Sequence, residues 1–357
     1  MQPKKRNGYI DIIKFILAVI VAEFHLESGL FPGGRVAVEG FYMISAFLMM
    51  KNIARDKYPQ DSLGVSTLRF TANKYKALFQ YLLPSVAVGY VVYAIMEERT
   101  IVEFLRRAPL LLFEIIPLRT SGIRGIHVVG ISWYLSAMFL ALGILYPLCR
   151  KFRRNFTLMV CPLIFVFAYG FVSENYGTIA VTSGFLEDAL FSSGMARALG
   201  ASAAGCLIFE ISEALSEKRF SVFGRLSFTA LELAGYWYLF YAMHNHPKSK
   251  YDFVLVFLMF GLLTIGICGL SFTTYLFRGK WTKAFGICST LIVLNHYYWC
   301  KYLLKVLGKG YFKTDKVWHY VAAVAVSCAV VYVAGQLVNL VMKKGGRLFL
   351  AKDKASC

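Results

Sequence analysis

Apolar stretches of about 20 residues recur along this chain from residue 9 to residue 342, and that is the length an α-helix needs to cross a bilayer core roughly 30 Å thick. Inside lipid every backbone N–H and C=O must be satisfied within the protein, so such stretches read as helices and little else. Breaks in hydropathy divide them into ten spans, near 9–28, 36–52, 75–96, 132–149, 156–173, 191–212, 225–243, 252–271, 283–304 and 317–342. With 58% hydrophobic and 16% aromatic residues over 357 positions, the chain cannot be wrapped in water as an ordinary globule. The expectation is an all-α, polytopic membrane protein with one transmembrane domain over 1–357. An even number of spans puts both termini on one side.

Positive charge decides which side. With the N-terminus inside, Lys4, Lys5, Arg6, the 51–76 segment, the Arg150–Arg154 cluster, Arg278, Lys280 and the tail give the cytoplasmic face a roughly two-to-one excess of Lys and Arg. Both termini are therefore expected to be cytoplasmic, and the protein is expected to be multi-pass in the plasma membrane. The net charge of +19 then reads as a topology signal and an attraction to anionic membrane lipid, not as a nucleic-acid surface. The first span is read as retained, since it lacks a small-residue cleavage site. The eight cysteines are scattered without a close pair in sequence, so neither a zinc site nor a disulfide framework is expected. The loop at 51–74 is expected inside, and 97–131 on the outer interface, with Arg119, Arg124 and His127.

The first span is not uniformly apolar. It carries Asp11, Lys14 and His25, and at 100° per residue the three share one stripe. Ionisable groups at bilayer depth are costly, so the stripe should face a bundle interior or a watery cavity and is a functional-site candidate. Lys14 lies toward the cytoplasm and His25 toward the outer face, about 16 Å apart at 1.5 Å per residue. Glu39, near the start of the returning span, is expected at a depth comparable to His25, accepting a hydrogen bond from its imidazole. Arg197 is intramembrane and needs a partner or an anionic ligand.

Lys14 precedes His25 by eleven positions, and Val38-Glu39-Gly40-Phe41-Tyr42-Met43-Ile44-Ser45-Ala46-Phe47-Leu48 follows. This opening resembles the acyltransferase-3 family of integral-membrane acyltransferases, with Glu39, Phe41, Ser45 and Phe47 in the family's register. Trp133-Tyr134-Leu135-Ser136-Ala137 leading to Tyr146-Pro147 resembles the family's Trp-Tyr span, and Ser289 with His296 its late Ser…His span. The chain departs from the pattern at Ala46, where a glycine is expected, and at Ala77 and Gln80, where an arginine and a proline are usual.

What the resemblance implies is acyl transfer, most often of acetyl from cytoplasmic acetyl-coenzyme A, a donor substrate and not a resident cofactor, to a hydroxyl of a cell-envelope or exported glycan. Such transfer needs a base or nucleophile at the hydroxyl and positive charge or donors at the carbonyl. His25 and Glu39 are the candidate catalytic pair; Lys14, Lys74 and Lys76 the candidate donor-binding cations; Trp133, Tyr134, Arg197 and His296 acceptor-site or structural residues. No metal is implied. With no fused extracytoplasmic domain, the chain is expected to act alone or with separate envelope-glycan assembly partners. The alternative is a transporter or flippase of a glycan or lipid-linked substrate, which would also bury charge along a cavity but usually pairs broken helices in two matching halves. No Gly-x-Ser-x-Gly elbow supports a serine hydrolase.

Overall fold

A computed structural model of the protein describes residues 7–27, 29–55, 60–117, 128–180, 192–246, 250–308, 311 and 317–355, with side chains to Lys344. The protein is an all-α polytopic membrane protein; no strand occurs among the described residues. Its long helices are α1 (Gly8–Leu26), α2 (Ala37–Ala54) and α3 (Leu63–Met96). After the short helices α4 (Ile101–Arg107) and α5 (Leu112–Ile115) come α6 (Ser132–Asn155), α7 (Cys161–Tyr176) and α8 (Ser193–Leu215). The chain closes with α9 (Val222–Asn245), α10 (Tyr251–Ile267), the four-residue α11 (Thr273–Leu276), α12 (Thr282–Leu307) and α13 (Trp318–Ala355). Each span expected from hydropathy thus has its helix.

Several starts are set by side chains that accept from otherwise orphaned N–H groups. Asn7 caps α1, Ser62 caps α3, Ser192 caps α8 and Ser221 caps α9. The runs Gly34–Ala54, Leu63–Met96, Ser132–Tyr176, Ser193–Leu215 and Trp318–Lys344 are long and apolar enough to cross a membrane. The helix α1 carries Asp11, Lys14 and Glu23 and is instead buried along most of its length at the centre of the bundle.

Two expectations about the connections are corrected. Residues 63–74, read as cytoplasmic loop, are the first turns of α3: Ser62 caps them, and no proline interrupts before Pro84. At 34 residues α3 is about 51 Å long, well beyond a bilayer core. The 97–131 segment does not lie flat on an outer interface, because its described part runs back along α3. Tyr90 donates to the Phe104 carbonyl at 2.6 Å, and Tyr75, fifteen residues and about 22 Å further down α3, donates to the Ile115 carbonyl at 3.1 Å. Pro109 breaks the amphipathic run from Arg106 into short helices that can follow this path. Arg119, Arg124 and His127 lie outside the described residues.

The helix α1 packs most extensively against α12. The two run parallel, as the Phe15–Phe285 ring contact at 4.9 Å and the His25–His296 contact at 5.2 Å show. The same parallel register brings α3 to α12, with Ser85 donating to Asn295 at 3.3 Å. The helix α8 is rich in small residues from Ser193 to Gly205, which lets neighbouring backbones come close. A Cβ on Gly205 would sit 2.1 Å from the Met43 carbonyl of α2, and one on Gly200 would overlap Ala168 and Tyr169 of α7. Between α6 and α7 the helical path breaks at Arg153 and passes through a π-turn at Phe156–Val160. Near this break three free cysteines distant in sequence, Cys149, Cys161 and Cys206, converge, with Cys149 Sγ 3.8 Å from Cys206 Sγ.

Two buried ion pairs stitch the bundle. Arg197 of α8 donates through Nε at 2.7 Å, and also through Nη2, to Glu39 of α2. The other Glu39 oxygen accepts from the Tyr169 hydroxyl of α7. Arg35, in a 3₁₀ turn before α2, makes a fork–fork contact with Asp252 of α10 at 2.9 and 3.1 Å. Residues 178–179 join the pairs: Ile179 O accepts from Arg197 Nη1 at 2.7 Å, while Thr178 Oγ1 and Ile179 N donate to Asp252 at 2.7 and 3.3 Å. Glu39 and Arg197 are 0% and 1% exposed, so each charge depends on the other. Arg197→Met should therefore destabilise the protein by about 3–5 kcal/mol by stranding a buried carboxylate, and Arg197→Met with Glu39→Gln should recover part of that loss. Thermal unfolding of the two purified variants in detergent checks it; a double variant no more stable than the single one would contradict this account.

Candidate active site

His25 occupies the last turn of α1 and is held from two sides. Its carbonyl accepts from Cys300 Sγ of α12 at 2.6 Å, and Tyr320 of α13 donates to the carbonyls of Ala22 at 3.1 Å and His296 at 3.3 Å. This ties three helices together at one level. The imidazole is half-buried, with the His296 ring 5.2 Å away at 33° and the Tyr297 ring 5.3 Å away at 89°. Its nitrogens make no hydrogen bond among the described residues.

His296 is fully buried, and its protonation pattern follows from its neighbours. Nδ1 lies 3.0 and 2.9 Å from the carbonyl oxygens of Ile292 and Val293 in its own helix. Both partners only accept, so Nδ1 carries the proton and the neutral ring presents a lone pair at Nε2. That Nε2 is buried without a partner. Two imidazoles thus face each other at the C-terminal end of α1, against α12, one with its tautomer fixed by its own helix.

Glu39 is not part of this arrangement. The expected hydrogen bond from His25 is absent, because both Glu39 oxygens are taken by Arg197 and Tyr169. Nor are the two residues at one depth. The 27–36 linker folds back into the bundle, where Gly34 meets Ile20 and Phe24, and Gly40 meets Leu17. Leu17 is eight residues before His25, so Glu39 sits about 12 Å deeper. The linker is held there by Glu23, which accepts from the N–H groups of Leu30 at 2.9 Å and Phe31 at 2.6 Å.

Trp133, Tyr134 and Arg197 do come together, around Glu39. The Arg197 guanidinium lies 5.4 Å over the Trp133 ring, and the Tyr134 ring packs 4.7 Å from Tyr42. Toward the opposite end of the α1–α12 pair Lys14 and Lys74 are both half-buried, near enough for their like charges to repel. Lys76, two residues on, is exposed. The stripe from Lys14 to His25 therefore has cations toward the N-terminal end of α1 and imidazoles at its C-terminal end.

Sequence reasoning missed Arg35, Asp252, Tyr169 and Tyr297. Arg35 and Asp252 flank predicted spans and read there as interfacial charges, since nothing local signals that the chain dips inward. Tyr169 and Tyr297 are aromatic residues among many, and no sequence pattern separates them from packing.

The family model described as an acyltransferase domain matches residues 7–335, nearly the whole chain. Searches of curated proteins and of solved structures find no match. The order of Lys14, His25 and the Glu39 span, the helical bundle that carries them and this match agree: the chain belongs to the acyltransferase-3 family of membrane acyltransferases.

Proposed function

We propose that this protein is an O-acetyltransferase of the plasma membrane, moving acetyl from cytoplasmic acetyl-coenzyme A to a hydroxyl of a cell-envelope or exported glycan. The observation that carries the reading is the division of the α1 stripe. Cations stand toward one end, where Lys14 and Lys74 are near enough for their charges to repel, and the His25–His296 pair stands at the other. Coenzyme A has a phosphate-rich head and a long, thin pantetheine arm. Its head suits the lysines, and the arm spans a distance on the order of the 16 Å from Lys14 to His25.

In this reading His25 takes the proton of the acceptor hydroxyl as that oxygen bonds to the thioester carbonyl carbon. The tetrahedral adduct then breaks its C–S bond, and coenzyme A leaves as the thiol, taking the proton from His25. His296 accepts at Nε2 and donates at Nδ1, so it is the neighbour able to receive a proton or an N–H bond from His25. Glu39 acts as a positioning residue: it holds Arg197, and Arg197 holds Trp133 and the 178–179 turn. A transporter would need no such imidazole pair. Comparing glycan mass between a deletion strain and its parent tests the acceptor class, and a mass unchanged in every envelope glycan overturns it.

His25→Ala should lower acyl transfer by at least about 10²-fold in a protein that still folds. His296→Asn, which keeps a hydrogen-bonding group and loses the basic nitrogen, should lower kcat more than it raises either KM. Steady-state rates with acetyl-coenzyme A check both, and near-normal transfer by a folded His25→Ala protein would remove His25 from the chemistry. On the donor side, Lys14→Gln with Lys74→Gln should raise the donor KM several-fold and leave the acceptor KM unchanged, whereas Lys76→Gln should do little. Equal effects of Lys74 and Lys76 would show that charge near this face acts without a defined site.

A further inference from the structure

One cavity adjoins the imidazole pair. It measures about 150 Å³ and lies between the outer ends of α3 and α12, lined by Val92, Tyr93 and Met96 on one side, Tyr297, Tyr298 and Lys301 on the other, with Val128 closing it. Tyr297 is its wall toward His25, standing edge-on to that ring at 5.3 Å. The wall is rigidly backed, because Gly130, at φ 73°, presses on it so closely that a Cβ there would lie 2.3 Å from the ring. Glu114, 2% exposed, holds the neighbouring Val129 N–H at 2.9 Å. Tyr298 is fixed by donating to Asn295 at 2.5 Å.

The polar groups of this cavity are few, and apart from the Tyr298 hydroxyl they make no hydrogen bond among the described residues. The hydroxyls of Tyr93 and Tyr297 have no hydrogen-bond partner among the described residues. Lys301 extends its ammonium 5.6 Å from the Tyr297 ring, and no carboxylate pairs with it among the described residues. Apolar aromatic walls with a small number of convergent polar groups are the composition of a small-ligand site. Flat rings suit the C–H face of a pyranose, tyrosine hydroxyls suit its hydroxyl edge, and a free ammonium suits a negative charge.

We propose that this cavity is an acceptor subsite that takes an anionic pyranose of the glycan beside the sugar to be acylated, with Lys301 on the charge and Tyr297 as the partition between this sugar and His25. The inference rests on the O-acyltransferase reading above and adds to it the binding residues and the charge of the sugar.

Binding, not turnover, tests it, so the two readings fail separately. Saturation-transfer NMR on the full chain in nanodiscs is to be recorded with methyl glucuronoside, glucose 6-phosphate and methyl glucoside. At least one anionic sugar should bind about tenfold or more tighter than the neutral one, as one charge-assisted hydrogen bond provides. Lys301→Gln should abolish that preference without weakening the glucoside, and Val92→Trp, which fills the cavity, should remove binding of all three. Which anionic probe wins tells a carboxylate from a phosphate. A preference that survives in Lys301→Gln, equal binding of charged and neutral probes, or no binding by the wild type overturns the proposal. Anion-selective, Lys301-dependent binding in a protein that transfers no acetyl to any glycan would leave the subsite standing and overturn the acetyltransferase reading.

Discussion

A charge taken into the bilayer must bring its own solvent, and most of this bundle is arranged around that requirement. The Glu39–Arg197 pair is the clearest case: two ions, nearly inaccessible, solvated among the described residues by each other, a tyrosine hydroxyl, one backbone carbonyl and the Trp133 ring. The desolvation cost of such a pair is several kcal/mol per ion before attraction offsets it, so every remaining lone pair and proton has to be used. Glu39 uses Oε2 on Tyr169, and Arg197 uses Nη1 on Ile179. The 178–179 turn is in consequence pinned, and Asp252 and Arg35 are pinned to it.

The small residues of α8 follow from the same demand. For Arg197 to reach Glu39 on α2 while Tyr169 of α7 reaches it from the other side, three helix axes must approach closely. Gly200 and Gly205 permit this, since any side chain there would meet α7 or α2 within van der Waals distance. Lipid supplies no hydrophobic drive for helices to associate, so packing at this range and the polar contacts it allows are what hold them. The polar network and the small-residue stripe are therefore one device, and the rigid platform they form sits beneath the His25 level.

Much of this was legible in the sequence because the bilayer imposes a length on helices and a penalty on charge. Span positions came from hydropathy, and the family from the spacing of Lys14, His25 and Glu39. The proximity of Trp133, Tyr134 and Arg197 to Glu39 was not, since it depends on which helices become neighbours. The His25–Glu39 hydrogen bond was expected from sequence nearness, yet the 27–36 linker bends inward and carries Glu39 past His25, and α12 brings His296 instead. Helices read as straight rods of equal height hide both effects. Hydropathy was equally blind to α3, whose first turns are helical but exposed, and to the 101–115 run, whose path is fixed by two tyrosine hydroxyls.

The parallel packing of α1 on α12 has a temporal side. Cys300 and the carbonyl it meets at His25 are 275 residues apart in sequence. At roughly 5–20 residues per second, a ribosome takes on the order of ten seconds or more to cover that interval. Throughout it a helix carrying Asp11, Lys14, Glu23 and His25 is already made while its main neighbour does not exist. The imidazole pair is among the last features to form, so a chain interrupted before α12 holds the inner lysine of the stripe but no paired imidazole. The chemistry proposed for that pair is thereby tied to completion of the bundle, and α1 must wait in the membrane or at the insertion machinery with its charges provisionally sheltered.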